Sequence, residues 1–313
     1  MLAVLLALAS AVGYGASDFA AGLASRKASV LMVTFLSAVC SLILTLLVLP
    51  WVVSRGPSAA ALGWGVAACL GGMAGALALY VGFRRAAFSV AGPLSAVSAA
   101  GLSVIVGILL GERPSALSLA GIGMALPAIV LVSLTATRPG PGEPASRPGH
   151  ASSPERRGAW AGVAYGLAAG TGFALLFVGL NRAGSQAGIW PVISGQAAEV
   201  TVLACVVAAS GAFRTGLRGA SATGPRDTFG NAAPATTGLA AITGVTGGGG
   251  TILYFLATHD GFLAITAVLT SLYPAVTIGL ARLLASERLS AARLAGLVLA
   301  GISVTLIALG GTG

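Results

Sequence analysis

The sequence predicts an all-α membrane protein of ten transmembrane helices, arranged as two inverted repeats of five. Three observations lead there: an extreme composition, a succession of apolar runs long enough to cross a bilayer, and a motif that occurs once in each half. Apolar residues make up 56% of the 313-residue chain and charged residues only 8%, against roughly 45–50% and 25% in soluble domains. The runs reach 20 residues or more, the length that spans a hydrocarbon core about 30 Å thick. In lipid every backbone donor and acceptor needs an internal partner, so the runs are read as helices. The alternating pattern of an outer-membrane barrel is absent.

The spans fall at about 2–24, 29–53, 60–83, 87–111, 115–136, 159–181, 187–210, 236–258, 262–285 and 289–310. The first is not read as a cleaved secretory signal: Met1 to Ser17 carries no positive charge, and further spans follow. Two polar stretches, 138–157 and 211–235, are rich in Gly, Pro, Ser and Arg and lack apolar periodicity. They divide the chain into a first five-helix unit (1–137), a linker (138–157) and a second unit (158–313) carrying a loop insertion at 211–235.

Placed on ten spans, all but three of the 17 basic residues lie on one side of the membrane; only Arg55, Arg113 and Arg182 lie on the other. The basic side is expected to be cytoplasmic, which puts both chain ends outside and makes the protein multi-pass in the plasma (inner) membrane. The net charge of +9 therefore calls for membrane lipid headgroups as partners and not for nucleic acid. Cys40, Cys69 and Cys205 stand singly in apolar spans, as small hydrophobes, with no metal or disulfide spacing. His150 and His259 are read as loop residues. No catalytic constellation, metal site or cofactor is expected, which argues against an enzyme.

The repeat rests on residues 107–121 (GILLGERPSALSLAG) and 282–296 (RLLASERLSAARLAG), which agree at eight of fifteen positions. Ala, Leu and Gly inflate such a match, but Glu112-Arg113 against Glu287-Arg288 is not explained that way in so uncharged a chain. Leu79-Tyr80 corresponds likewise to Leu253-Tyr254. Because five is odd, the second copy enters the membrane upside down. Inverted repeats build many secondary transporters, whose site at the repeat interface opens to each side in turn.

With these residues in view, the sequence resembles the drug/metabolite transporter superfamily, EamA type. The Glu-Arg pair after the fourth helix of each half carries the resemblance. So does the first-helix stretch Gly13-Tyr14-Gly15-Ala16-Ser17-Asp18-Phe19, where Tyr14 and Asp18 stand in place of the family's Trp and Asn. The resemblance implies ten helices, a central cavity, and export or exchange of a small organic metabolite, amino acid-like or drug-like. The runner-up is a flippase of a lipid or lipid-linked sugar; oligomeric state is not legible.

Two acids lie inside spans. A charge at the bilayer centre costs about 2.5–3.5 kcal/mol on insertion scales, so such residues tend to mark pathways or proton relays. Glu199 lies mid-span and is the first candidate, as proton carrier if transport is proton-coupled, with Gln196 and Ser194 expected beside it on one polar face. Its plainer reading is a structural hydrogen bond to a neighbouring helix. Asp18 is the second candidate, with an interfacial position as its alternative. Tyr14, Tyr80 and Tyr254 complete the pathway set, although aromatic residues also anchor at interfaces. Glu112, Arg113, Glu287 and Arg288 are expected to be structural, closing a turn and pairing locally. Arg282 either snorkels to the headgroups or lines the inner mouth. Gly158, Gly162, Gly166 and Gly170 form one smooth face on the sixth helix, and Gly71 and Gly75 do the same on the third. The run Gly247 to Gly250 reads either as close packing or as a helix break.

Overall fold

In the computed structural model the described residues are 1–25, 29–52, 56–85, 88–133, 153–209, 234–285 and 291–310, and all regular structure among them is helical. The first half contributes α1 (Leu2–Ser25), α2 (Val30–Val48, extended by a 3-10 turn Leu49–Trp51), α3 (Ala59–Arg85), α4 (Phe88–Leu109) and α5 (Ala116–Ser133). The second contributes α6 (Ser153–Ala183), α7 (Trp190–Ala209), α8 (Pro234–Asp260), α9 (Leu263–Thr270), α10 (Tyr273–Ala285) and α11 (Ala291–Gly310). Six of these helices are long and apolar enough by themselves to cross a membrane, and α4, α5, α9–α10 and α11 supply four shorter apolar segments. The helix α6 already begins at Ser153, inside the stretch read as linker.

The packing repeats with the sequence. α1 lies along α8 as α6 lies along α3; α2 touches α8 as α7 touches α3; α4 packs on α6 as α9 and α10 pack on α1. α5 and α11 pair with each other, as do α2 and α7. Exchanging the halves reproduces the same set of neighbours, and five spans per half make the two copies run in opposite directions. The fold is therefore an inverted repeat.

Close helix packing in lipid draws on small residues rather than on hydrophobic pressure. Gly71 and Gly75 of α3 form a close-packing face, and the helix on it is α6: a Cβ at Gly172 would sit 2.6 Å from the Gly71 oxygen and the Gly75 Cα. Gly170, the last of the four-glycine stripe on α6, instead faces α4, where a Cβ would sit 2.6 Å from the Ser95 oxygen. Thus α6 has two glycine faces. α1 is built alike, with Gly13 against α8 and Gly15 against α10. The Gly247 to Gly250 run lies within continuous helix, α8, and is a packing device: Gly250 abuts Ser10 and Tyr14, and Gly248 abuts Ser41.

The break falls in the ninth span instead, at Ser271-Leu272 between α9 and α10. Pro274 accounts for it. Its nitrogen cannot bond to the Thr270 carbonyl and its ring would strike that group in a continuous helix, whereas in the first turn of α10 it is harmless. All eight residues of α9 are buried. Its N-terminus is capped by Glu112, whose two carboxylate oxygens accept from the Leu263 N–H at 2.5 Å and the Ala264 N–H at 2.9 Å. Glu112 therefore does not merely close its own turn; it clips the end of α4 to a half-helix of the other repeat. Negative charge at a helix N-terminus meets both the unpaired N–H groups and the helix dipole. Glu287 and Arg288 lie outside the described residues. His259 sits in the last turn of α8 and not in a loop, its ring edge-on to Phe255 with centroids 4.6 Å apart.

Candidate functional site

Between the halves lies a cavity of about 220 Å³. Its wall is drawn evenly from both repeats: α1, α2 and α3 from the first, α6, α7 and α8 from the second. Most of the wall is small or apolar, including Ala38, Gly72, Met73, Ala76, Phe173, Leu176 and Gly244. That leaves room in the middle of a bundle that is otherwise tightly packed.

The polar wall residues come one turn apart along their helices, or two turns apart on α8. On α1 these are Tyr14 and Ser17, on α2 Ser37 and Ser41, on α7 Gln196 and Glu199, and on α8 Thr243 and Thr251. The 3.6-residue period sends each pair to the same side. Nearly all of them are committed. The Tyr14 hydroxyl and Thr251 Oγ1 are 2.9 Å apart, and Thr251 also reaches the Gly247 carbonyl at 3.1 Å, so the tyrosine is the donor between them. Ser17 donates to the Thr243 carbonyl at 3.0 Å, and Ser37 to the Thr34 carbonyl at 2.9 Å. Gln196 is held at both ends: its Nε2 donates to Ser41 Oγ at 2.7 Å and its Oε1 accepts from Thr45 Oγ1 at 2.8 Å. Gln196 is buried and ties α7 to α2. Ser194 does not share that face; its hydroxyl donates to the Leu62 carbonyl of α3 at 3.0 Å.

Glu199 differs from all of these. Its carboxyl lines the cavity, and no donor among the described residues reaches it. Asp18 lies one turn beyond Tyr14 on α1, exposed, and likewise has no donor among the described residues. Tyr254 takes a different role from the one its sequence position suggested. It is fully buried, its hydroxyl donates to the Phe177 carbonyl at 3.1 Å, and its ring packs on Phe177 with centroids 4.6 Å apart. The side chains of Tyr80 and Arg282 lie outside the described residues. Arg113 is exposed just after Glu112, and no ion pair with it is seen among the described residues.

The two ends of the cavity are unlike. Past Thr251, Tyr254 and Phe177 join Leu180, Ile189, Val192 and Leu263 in one buried cluster that seals this end. At the other end the wall is formed by Ser17, Ser37 and Thr243, and Asp18 follows Ser17 on α1. Sequence reasoning missed Thr45, Ser41 and Thr251. Hydroxyl residues are common in apolar helices, and nothing local marks those that meet across 150 residues or more.

A bundle of buried small-residue helices, repeated upside down around a polar cavity, is the build of a polytopic membrane protein. The family described as the EamA-like transporter family matches residues 1–134. By that match the first half of the chain is similar to membrane transporters of the EamA-like family. One solved crystal structure, titled only as that of a protein, superposes with a TM-score of 0.66 at 16% identity, covering 96% of this chain and 98% of that one. That likeness extends the fold across both halves. No curated protein matches the chain.

Proposed function

We propose that the protein is a secondary transporter that moves a small organic metabolite across the plasma membrane by alternating access. The carrying observation is the cavity: it lies between the two inverted halves and takes its wall equally from both; the Phe177–Tyr254 cluster closes one end, and the Ser17–Ser37 end is read as its opening. Two inverted copies can exchange conformations, which supplies two states of similar energy open to opposite sides. With the basic loops in the cytoplasm, the open end faces inward and the Phe177–Tyr254 cluster is the outer seal. Glu199, an acid in that cavity with no donor among the described residues, is the group proposed to bind the cargo or a coupling proton. No nucleotide-binding motif is present in the sequence, so the driving force is an ion or substrate gradient.

The test needs no substrate. In a background lacking Cys40, Cys69 and Cys205, cysteines are placed at Ser37, in the cavity, and at Val192, in the seal. Membrane-impermeant maleimide is expected to label the first from the cytoplasmic face and the second from the outer face. A Val192→Cys thiol that never reacts from outside, while Ser37→Cys reacts from within, refutes alternating access.

A further inference from the structure

We infer that the cargo is a small organic cation, a protonated amine carried on a compact apolar or aromatic body. This rests on the carrier reading above and names the chemistry of its site.

The inference comes from what is left over once the cavity's own hydrogen bonds are counted. Tyr14 is used by Thr251, Ser17 by the Thr243 carbonyl, Ser37 by the Thr34 carbonyl, and Gln196 by both Ser41 and Thr45. Thr243 donates back to the Leu239 carbonyl of its own helix at 2.9 Å. Among the oxygen acceptors of the wall, the Glu199 carboxyl has no donor among the described residues. An ionised carboxylate only accepts hydrogen bonds, so what completes it is a donor. Among the described residues no Lys, Arg or His lines the cavity to supply one. Leaving a charge unpaired in an apolar wall is expensive. An ammonium group brings the opposite charge and three N–H donors together.

The rest of the wall suits the body of such a ligand. Tyr14 and Phe173 offer aromatic rings, which attract cations as well as apolar groups, and Met73 and Leu176 are apolar. The cavity, about 220 Å³, is smaller than the roughly 300–1,000 Å³ of pockets for drug-sized ligands, which points to a cargo of about one ring. Asp18, one turn beyond Tyr14 on α1, puts a second carboxyl beside the cavity wall, and negative potential of that kind concentrates cations. A carboxylate on the cargo would meet the reverse: no positive group among the described wall residues, and Glu199 close by.

Three probes share one body and differ only in charge: phenethylamine, 2-phenylethanol, which lacks the ammonium, and phenylalanine, which adds a carboxylate. Equilibrium binding to the purified full-length protein is measured at mildly alkaline pH, where carboxyls are ionised and the amine is still protonated. Phenethylamine is expected to bind at least about tenfold more tightly than either of the others, the size expected from a hydrogen bond to a charged group. Glu199→Gln is expected to erase that preference while the variant elutes as the wild type does, because shape is kept. Equal binding of the alcohol makes Glu199 a proton site only and overturns the inference, as does tighter binding of phenylalanine or no amine binding at millimolar concentration. Failure here with two-sided cysteine labelling intact removes the cargo class and leaves the carrier. Failed labelling with the amine preference intact leaves a binding cavity that is not a carrier.

Discussion

Gly172→Ala tests the packing that creates the cavity. The added methyl carbon would lie 2.6 Å from the Gly71 oxygen, 2.6 Å from the Gly75 Cα and 2.7 Å from the Gly75 nitrogen, all of them backbone atoms of α3. Optimal carbon contacts are about 3.5–4.0 Å, so α3 and α6 must part by roughly 1 Å along their line of closest approach. Forcing one methyl into a packed interface costs about 1–3 kcal/mol. Replacing a glycine in mid-helix by alanine returns about 0.5–1 kcal/mol. The net expectation is a loss of up to about 2.5 kcal/mol, with a centre of about 1 kcal/mol, from these two ranges. Gly123→Ala is the control, since nothing lies within 4 Å of a Cβ there; it is expected to gain about 0.5–1 kcal/mol. The assay is the thermal midpoint in detergent, backed by inactivation half-life at fixed temperature because membrane proteins often unfold irreversibly. Gly172→Ala as stable as Gly123→Ala would refute the backbone-contact argument.

Other consequences follow from the same geometry. Glu112→Ala removes both acceptors from the N-terminus of α9 and is expected to lower stability by about 2 kcal/mol, as for hydrogen bonds to a charged partner, with Glu112→Gln intermediate by thermal midpoint. A wild-type midpoint in the alanine variant would show the cap to be idle. A reporter fused after Gly313 is expected to be active only if it works outside the cytoplasm, since the basic loops place both ends there; activity of a cytoplasm-only reporter would reverse the orientation and, with it, the inward-open assignment.

The spans were legible because lipid imposes a length and a composition that any window of residues displays. The break at Ser271-Leu272 was not, since hydropathy runs unbroken through Tyr273-Pro274 and only the proline's missing N–H divides the helix. The Glu-Arg pairs revealed the repeat, yet the partner of Glu112 could not be read: Leu263 and Ala264 offer backbone N–H groups, which carry no sequence signature. Spacing by four picked out Gly170 but passed over Gly172, because α6 has two neighbours and the pattern sought was a single face. At the site, Tyr14, Gln196 and Glu199 stood out as polar residues in apolar spans, and all three line the cavity. Tyr254 stood out equally and is packed instead. What separates them is the partner each finds, the Phe177 carbonyl for Tyr254 and none among the described residues for Glu199, and partners come from the fold.

The most direct test of the central claim, that Glu199 binds what this protein carries, is the pH profile of phenethylamine uptake into proteoliposomes. Wild-type uptake is expected to fall as pH drops, because protonation neutralises the carboxyl that pairs with the ammonium. Glu199→Gln is expected to insert and fold but to show low, pH-independent uptake. A glutamine variant with wild-type rates and an unchanged profile would contradict the account and leave Glu199 a structural residue.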